Sequence, residues 1–406
     1  MTWATFPLAV DPTAWKHPPM STTTRAALTA FCATALTATL AASPTQAADE
    51  HYVALGDSFS AGTGTRAAVD ECYRSPYGYP ALLASSQQLT LDYQACSGAT
   101  TADVHANQLG TLTDATAYVT MTIGGNDVGF ADVITECALP GWLSNCYGEI
   151  DRSRTILNGE LPGRLDALYG DIRSRASQAT VVVAGYPYLF NGEDCNLATF
   201  FSSGEMRELN AGAAELDTLI EAKATGAGFT YVDVRDDFLG HAVCDDPEWI
   251  NGLSNPIVES YHPNRLGNEG YAVALAPALV TSPDGGDDGS TGGGGKGGGK
   301  GGGGKSKKLT TADADLTATA TVRQSPSADR PTRTSDLTVR EQAQAVLAMD
   351  LDTQANLRRA EVAGVDTGRL TRAVAKLRSP NAAVQEAGLV ELQELDAEFE
   401  ARRAGA

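Results

Sequence analysis

Five short runs of aliphatic and β-branched residues recur between about Asp49 and Val280: His51–Leu55 (HYVAL), Leu89–Tyr93 (LTLDY), Tyr118–Ile123 (YVTMTI), Thr180–Ala184 (TVVVA) and Phe229–Val234 (FTYVDV). Nearly continuous apolar character predicts strands buried on both faces. Helical spacing between them predicts helices near Tyr77–Gln88, Asp127–Cys137, Glu149–Ser177 and Glu205–Thr225, with a last one at Gly267–Leu279. Strands alternating with helices predict an α/β fold: a five-stranded parallel sheet in a three-layer α/β/α arrangement. In such a sheet ligands meet the chain at the carboxyl ends of the strands, so the residues after each run are the ones to read for chemistry.

Beyond residue 280 the pattern changes. The stretch 281–308 holds 14 of the chain's 42 glycines, and 309–334 is rich in Thr, Ala, Ser and Pro without apolar periodicity. Both predict a disordered linker over 281–334. Order is expected again from 335 to 406, where 336–362 and 367–378 carry leucines and valines at helical spacing. Ser379-Pro380 then opens a third helix, on which Val384, Gly388, Leu392, Leu395 and Phe399 share a face. This reads as a small all-helical bundle or hairpin of three helices. The expected organisation is an upstream segment at 1–47, a catalytic-size domain at 48–280, the linker and the tail.

Charge sharpens that division. The net charge is −20, and residues 1–280 alone carry 13 basic and 32 acidic side chains. A body so acidic repels phosphate backbones and anionic membrane surfaces, which argues against nucleic acid as a partner. Near the N-terminus, Arg25, an apolar run from Ala26 to Ala42 and the small residues before Ala47 predict an export signal cleaved after Ala47. Met20 is an alternative start. The run is 17 residues, short for a membrane span, so no transmembrane span is expected in the mature, secreted protein. Removing the signal takes Cys32 with it and leaves six cysteines, an even count that points to disulfides in an exported protein. Six cysteines allow 15 pairings. The simplest is sequential, Cys72-Cys96, Cys137-Cys146 and Cys195-Cys244, each closing one long insertion.

The first strand runs directly into Gly56-Asp57-Ser58. A serine at a strand-to-helix turn exposes its hydroxyl, and the helix start offers free N–H groups to an oxyanion. A Gly-Asp-Ser triplet is more often an ordinary capped turn, so the later strands have to decide. Cys96-Ser97-Gly98 follows the second strand, where Gly98 allows close backbone approach, and Gly124-Gly125-Asn126-Asp127 follows the third, where Asn126 can project an amide donor. A hydroxyl nucleophile needs a base. Of five histidines, His17, His51, His105 and His241 sit where surface or structural roles explain them, whereas His262 lies in Glu259-Ser260-Tyr261-His262-Pro263-Asn264, just before the last helix.

These blocks, in this order, resemble those of the SGNH (GDSL) hydrolase family. YVALGDSFSAGTGT, CSGATT, TIGGNDVGF and YHPNRLGNEGYA look most like its secreted actinobacterial esterase and lipase branch, where three disulfides are usual. The resemblance covers roughly residues 50–280. It implies a flavodoxin-like sheet, Ser58 as nucleophile, His262 as general base and then acid, and an oxyanion hole from the Ser58 and Gly98 N–H groups and the Asn126 amide. Where many members have Asp three residues before the histidine, this chain has Glu259. Either the Glu259 carboxylate orients the imidazole or a backbone carbonyl of that loop does, and the carbonyl is preferred.

No G-x-S-x-G elbow, H-E-x-x-H, P-loop or metal-binding cluster occurs, and nothing requires a cofactor or metal. The expected function is hydrolysis of acyl esters, triacylglycerols among them, on a small-molecule or lipid ester substrate. Phospholipids or acetylated polysaccharides are alternative substrates, and an exported binding protein with an inert hydrolase-like domain is the alternative of another class. For the tail, packing on the catalytic domain, dimerisation and contact with another protein or the cell surface stay open.

Overall fold

A computed structural model describes residues 50–279 and 337–405. The expected export signal, with Cys32 and cleavage after Ala47, and the linker 281–334 lie outside the described residues. All five expected strands form: β1 (His51–Ala54), β2 (Thr90–Tyr93), β3 (Thr116–Met121), β4 (Thr180–Ala184) and β5 (Thr230–Val232). They make one parallel sheet in the order β2-β1-β3-β4-β5, with Tyr52 facing both Leu91 and Tyr118, and Val119 facing Val181. Tyr52, Val53, Val119, Met121, Val182 and Val183 are fully buried, as strands covered on both faces require. Each such side chain contributes about 1.5–3 kcal/mol relative to exposure.

Eight helices cover the sheet: α1 (Ser58–Ala61), α2 (Tyr79–Gln87), α3 (Thr101–Asn107), α4 (Phe130–Cys137), α5 (Cys146–Gly159), α6 (Leu161–Arg175), α7 (Ser203–Gly226) and α8 (Arg265–Leu279). The single helix expected over 149–177 is two, because Pro162 stands in the first turn of α6. Its ring has no N–H to continue an upstream helix and restricts the residue before it. Two short helices escape the periodicity reading. The one-turn α1 is capped by Asp57, and α3 opens with a capping box in which Thr100 and Asp103 satisfy each other's backbone N–H.

The tail has four helices rather than three: α9 (Val339–Leu347), α10 (Gln354–Val362), α11 (Thr367–Leu377) and α12 (Ala382–Ala404). Asp350, at φ +52°, breaks the helix expected over 336–362, and Thr353 caps the restart through the Asn356 N–H. On α12 the expected face is also rotated. Val384 is exposed, while Gln385, Leu389 and Asp396 are buried with Gly388, Leu392 and Leu395. The helix is wedged between α11 and the catalytic body, so more than one stripe is covered: Leu389 and Leu392 share a cluster with Leu370 and Val374 of the tail and with Trp142 and Phe200 of the body.

The six cysteines pair as Cys72–Cys96, Cys137–Cys146 and Cys195–Cys244. The second bond joins the last residue of α4 to the first of α5. No helix among the described residues is long and apolar enough to cross a membrane.

Candidate active site

After β1 the chain must turn sharply, and Gly56 makes the turn at φ +116°. A Cβ there would stand 2.4 Å from the Thr122 carbonyl oxygen, so the position excludes a side chain. Gln108 braces the turn from both sides: its Oε1 accepts from the Gly56 N–H at 2.8 Å and its Nε2 donates to the Gly56 carbonyl at 2.9 Å. Asp57 then caps α1, accepting from the Phe59 N–H at 3.1 Å. Its carboxylate also accepts from Thr122 Oγ1 at 2.7 Å and from the Tyr186 hydroxyl. Burial pushes the Asp57 carboxyl up to about 6, with those hydrogen bonds pulling the other way. Ser58 is thereby fixed as the first residue of a helix, where its N–H has no acceptor within the helix.

Hydrogen bonds draw the other strand ends to this turn. The Cys96 N–H donates to the Gly56 carbonyl at 3.1 Å, which sets Gly98, at φ +82° and exposed, on the next turn. Asn126 Nδ2 donates to the Ala99 carbonyl at 3.0 Å. A primary amide has two N–H donors, so one stays available. Asp127 ties the same two segments by accepting from the Thr101 N–H at 2.8 Å and the Thr101 hydroxyl at 2.6 Å.

His262 reaches the site from the loop before α8. That loop pairs with residues 249–251: the Tyr261 N–H donates to the Asn251 carbonyl at 2.9 Å, and the Asn251 N–H to the His262 carbonyl at 3.0 Å. Tyr261 takes φ +59°, which turns the chain so that the two hydrogen bonds of the next ring run in opposite directions. His262 Nδ1 lies 2.8 Å from the Ser260 carbonyl and Nε2 lies 2.7 Å from Ser58 Oγ. A carbonyl only accepts, so Nδ1 carries the proton and Nε2 is left to accept from the serine hydroxyl. Burial holds the imidazole down at about 4, against the opposing pull of the Ser260 carbonyl.

Both polar groups of Glu259 have partners other than His262. Its Oε2 accepts from the Arg66 N–H at 3.1 Å and its carbonyl accepts from Asn251 Nδ2 at 3.2 Å. A residue three positions before the histidine is turned away by the single 3₁₀ turn at Ile257–Glu259, and Ser260 carries the acceptor instead. Gln108 and Tyr186 are the site residues that sequence reasoning missed, and for Ser260 it reached a backbone carbonyl of the loop without naming the residue. Their partners lie 52, 129 and 2 residues away, and only the last was within reach of a local reading.

The remaining described histidines lie elsewhere. His51 faces Thr116 and Asp92, His105 pairs with Asp171, and His241 stacks on Trp249 at 4.1 Å between ring centroids. Beside Ser58 and Asn126 opens a pocket whose apolar walls come from Val133 on α4, Ile150 and Leu157 on α5, and Leu209 and Leu216 on α7. One edge of it is spanned by Arg154, paired with Glu208 and Glu215. A hydroxyl with a neutral base, free N–H donors and an adjoining apolar pocket can carry out acyl transfer.

Residues 54–269 match the GDSL-like Lipase/Acylhydrolase family. The chain is similar to "Lipase" of Streptomyces rimosus, 40% identical over 233 residues, which are 56% of this chain and 86% of that protein. It is similar to "Lipase 1" of Streptomyces coelicolor, 39% identical over 230 residues, which are 55% of this chain and 84% of that one. Among solved structures, the extracellular lipase from Streptomyces rimosus superposes with a TM-score of 0.53 at 40% identity, covering 56% of this chain and 99% of that one. Phospholipase A1 from Streptomyces albidoflavus does so with a TM-score of 0.53 at 38% identity, covering 57% and 98%. Shared blocks, a shared fold and this extent of identity place the chain in the GDSL-like lipase/acylhydrolase family, as a carboxylic ester hydrolase.

Proposed function

We propose that this chain is an exported lipase that works through a Ser58–His262 dyad on esters with long acyl chains, triacylglycerols among them. The observation that carries this is the 2.7 Å contact of Ser58 Oγ with His262 Nε2 at the mouth of an apolar pocket. Ser58 Oγ attacks the ester carbonyl carbon while its proton passes to Nε2. The oxyanion of the tetrahedral intermediate is met by the Ser58 and Gly98 N–H groups and the spare N–H of Asn126. Collapse expels the alcohol, which takes the proton from His262, and leaves an acyl-Ser58 ester. Water, deprotonated by His262, repeats the sequence and releases the acid. The Ser260 carbonyl keeps the imidazole in the working tautomer throughout, as the third member of a triad otherwise does.

Three disulfides, the signal-like segment before Ala47 and the extracellular relative support export. The deciding experiment is a series of p-nitrophenyl esters from acetate to palmitate with purified protein. The proposal expects kcat/KM to rise with chain length, and hydrolysis confined to acetate would overturn it. A second reading, glycerophospholipid esters, is favoured by the relative named phospholipase A1. Release of fatty acid from phosphatidylcholine but not from trioctanoin would select it.

Two further expectations belong to the dyad. Glu259→Gln keeps an acceptor oxygen for the Arg66 N–H and leaves the Ser260–His262 hydrogen bond intact, so kcat/KM should stay within about threefold of the parent. A drop comparable to that of a His262 substitution would return the orienting role to Glu259. The pH profile follows from the imidazole. Only neutral His262 accepts the serine proton, and its pKa is lowered from 6.5 to about 4, so activity should fall through an acid limb near pH 4. A limb near 6.5 in kcat/KM would show that the ring titrates as if solvated.

A further inference from the structure

The family match ends at residue 269, yet α9–α12, beyond it, pack on the catalytic body. Besides Asn255 Nδ2, which donates to Glu341 Oε1 at 2.9 Å, and Leu253, which joins the shared apolar cluster, their contacts with the body converge on two segments. The first is 137–147, closed by the Cys137–Cys146 bond and leading into α5. Asp396 Oδ1 accepts from the Gly141 N–H at 2.7 Å, Phe399 meets Trp142 edge-on at 6.3 Å, and Arg403 lies 5.0 Å over the Tyr147 ring. The fit leaves no room, since a Cβ on Gly141 would stand 3.0 Å from Phe399 Cε1. The second segment is 197–202, leading into α7. Gln393 Nε2 donates to the Thr199 carbonyl at 2.7 Å, and the Leu197 N–H donates to Gln342 Oε1 at 2.8 Å.

These bonds satisfy main-chain groups of loop residues that would otherwise need another partner once covered by the tail. Both loops end in the first turns of helices that wall the pocket beside Ser58, α5 through Ile150 and Leu157, and α7 through Leu209 and Leu216. The Phe200 N–H also donates to the Ala138 carbonyl at 3.2 Å, so the two braced loops touch each other. The tail's hydrogen bonds to the two loops, and that of Glu341 with Asn255, end on residues other than Ser58 and His262.

We propose that α9–α12 brace the first turns of α5 and α7 and thereby set the width of the pocket between them, with Gln393, Asp396 and Phe399 as positioning residues for long acyl chains. The substrate half of this rests on the reading that the pocket takes the acyl group. Burial, with the charges of Glu400 and Glu205 nearby, pushes the Asp396 carboxyl up to about 7. A neutral acceptor therefore suits the site, and Asp396→Asn is the conservative control.

The test uses the full chain carrying Gln393→Ala, Asp396→Ala and Phe399→Ala together. Hydrogen exchange is expected to quicken in 137–147 and 197–206. KM for p-nitrophenyl dodecanoate should rise about fivefold or more, while kcat/KM for the acetate stays within about twofold. Asp396→Asn alone should behave as the parent. Unchanged exchange would overturn the brace, and so would quickened exchange with unchanged dodecanoate kinetics, or a parallel loss on both esters. If the parent itself shows no preference for long chains, the acyl-pocket reading fails, and exchange alone then decides whether the tail braces the two helices.

Discussion

Replacing Ser58 by alanine is expected to lower kcat for acyl ester hydrolysis by about 10⁴–10⁶, with His262→Ala close behind and the double substitution no worse than either. The non-additivity follows from the geometry: Nε2 serves only to take the proton of the Oγ that lies 2.7 Å away, so once either atom is gone the other has nothing to do. Fold should be preserved. The described hydrogen bonds of the Ser58 side chain end at His262, the Asp57 cap is untouched, and alanine is a good first-turn residue. Initial rates with p-nitrophenyl butyrate, normalised to far-ultraviolet circular dichroism and melting temperature, check the result. A Ser58→Ala protein that keeps more than a few per cent of the rate would place the nucleophile elsewhere.

The second large effect is expected at Asn126. Its amide spends one N–H on the Ala99 carbonyl at 3.0 Å, which holds the side chain over the strand ends and leaves the other N–H for a developing oxyanion. Negative charge on that oxygen is full only in the tetrahedral state. Asn126→Ala should therefore lower kcat by about 10²–10³ and leave KM within about threefold. Steady-state kinetics on one soluble ester separate the two parameters. A raised KM with unchanged kcat would make Asn126 a residue that binds the ground state, and the oxyanion hole would then consist of backbone donors.

Periodicity located the strands to within three residues, and failed where local chemistry overrode it. The break at Pro162 and the capping boxes at Thr100 and Ser202 are written in the chain, but only as single-residue signals set against longer apolar patterns. Val384 misled for a different reason. It sits at helical spacing with Leu392 and Leu395, and which stripe of α12 is covered depends on two surfaces far apart in the chain.

The candidate site shows the same division. Ser58, Gly98, Asn126 and His262 stand out as candidates in the sequence because each follows its own element and its chemistry is carried by residue type: a hydroxyl, a missing side chain, an amide, an imidazole. The carbonyl that faces His262 Nδ1 was legible only as far as its loop. A carboxylate at Glu259 is as close in sequence as the Ser260 carbonyl, and the choice fell to the Tyr261 backbone at φ +59° and the pairing of its loop with Asn251. Gln108 and Tyr186, which hold Gly56 and Asp57, were invisible for want of any local signal.

The alternation of buried strands and helices and the order of the chemical blocks could thus be read from the chain, because they depend on periodicity and residue type. Long-range packing fixed which carbonyl faces His262 Nδ1, which helices wall the pocket and where the tail rests. Those depend on hydrogen bonds such as Gln393 to Thr199 and Asp396 to Gly141, across some 190 to 250 residues of chain. No periodicity encodes such a contact, since it exists only once both surfaces have been built.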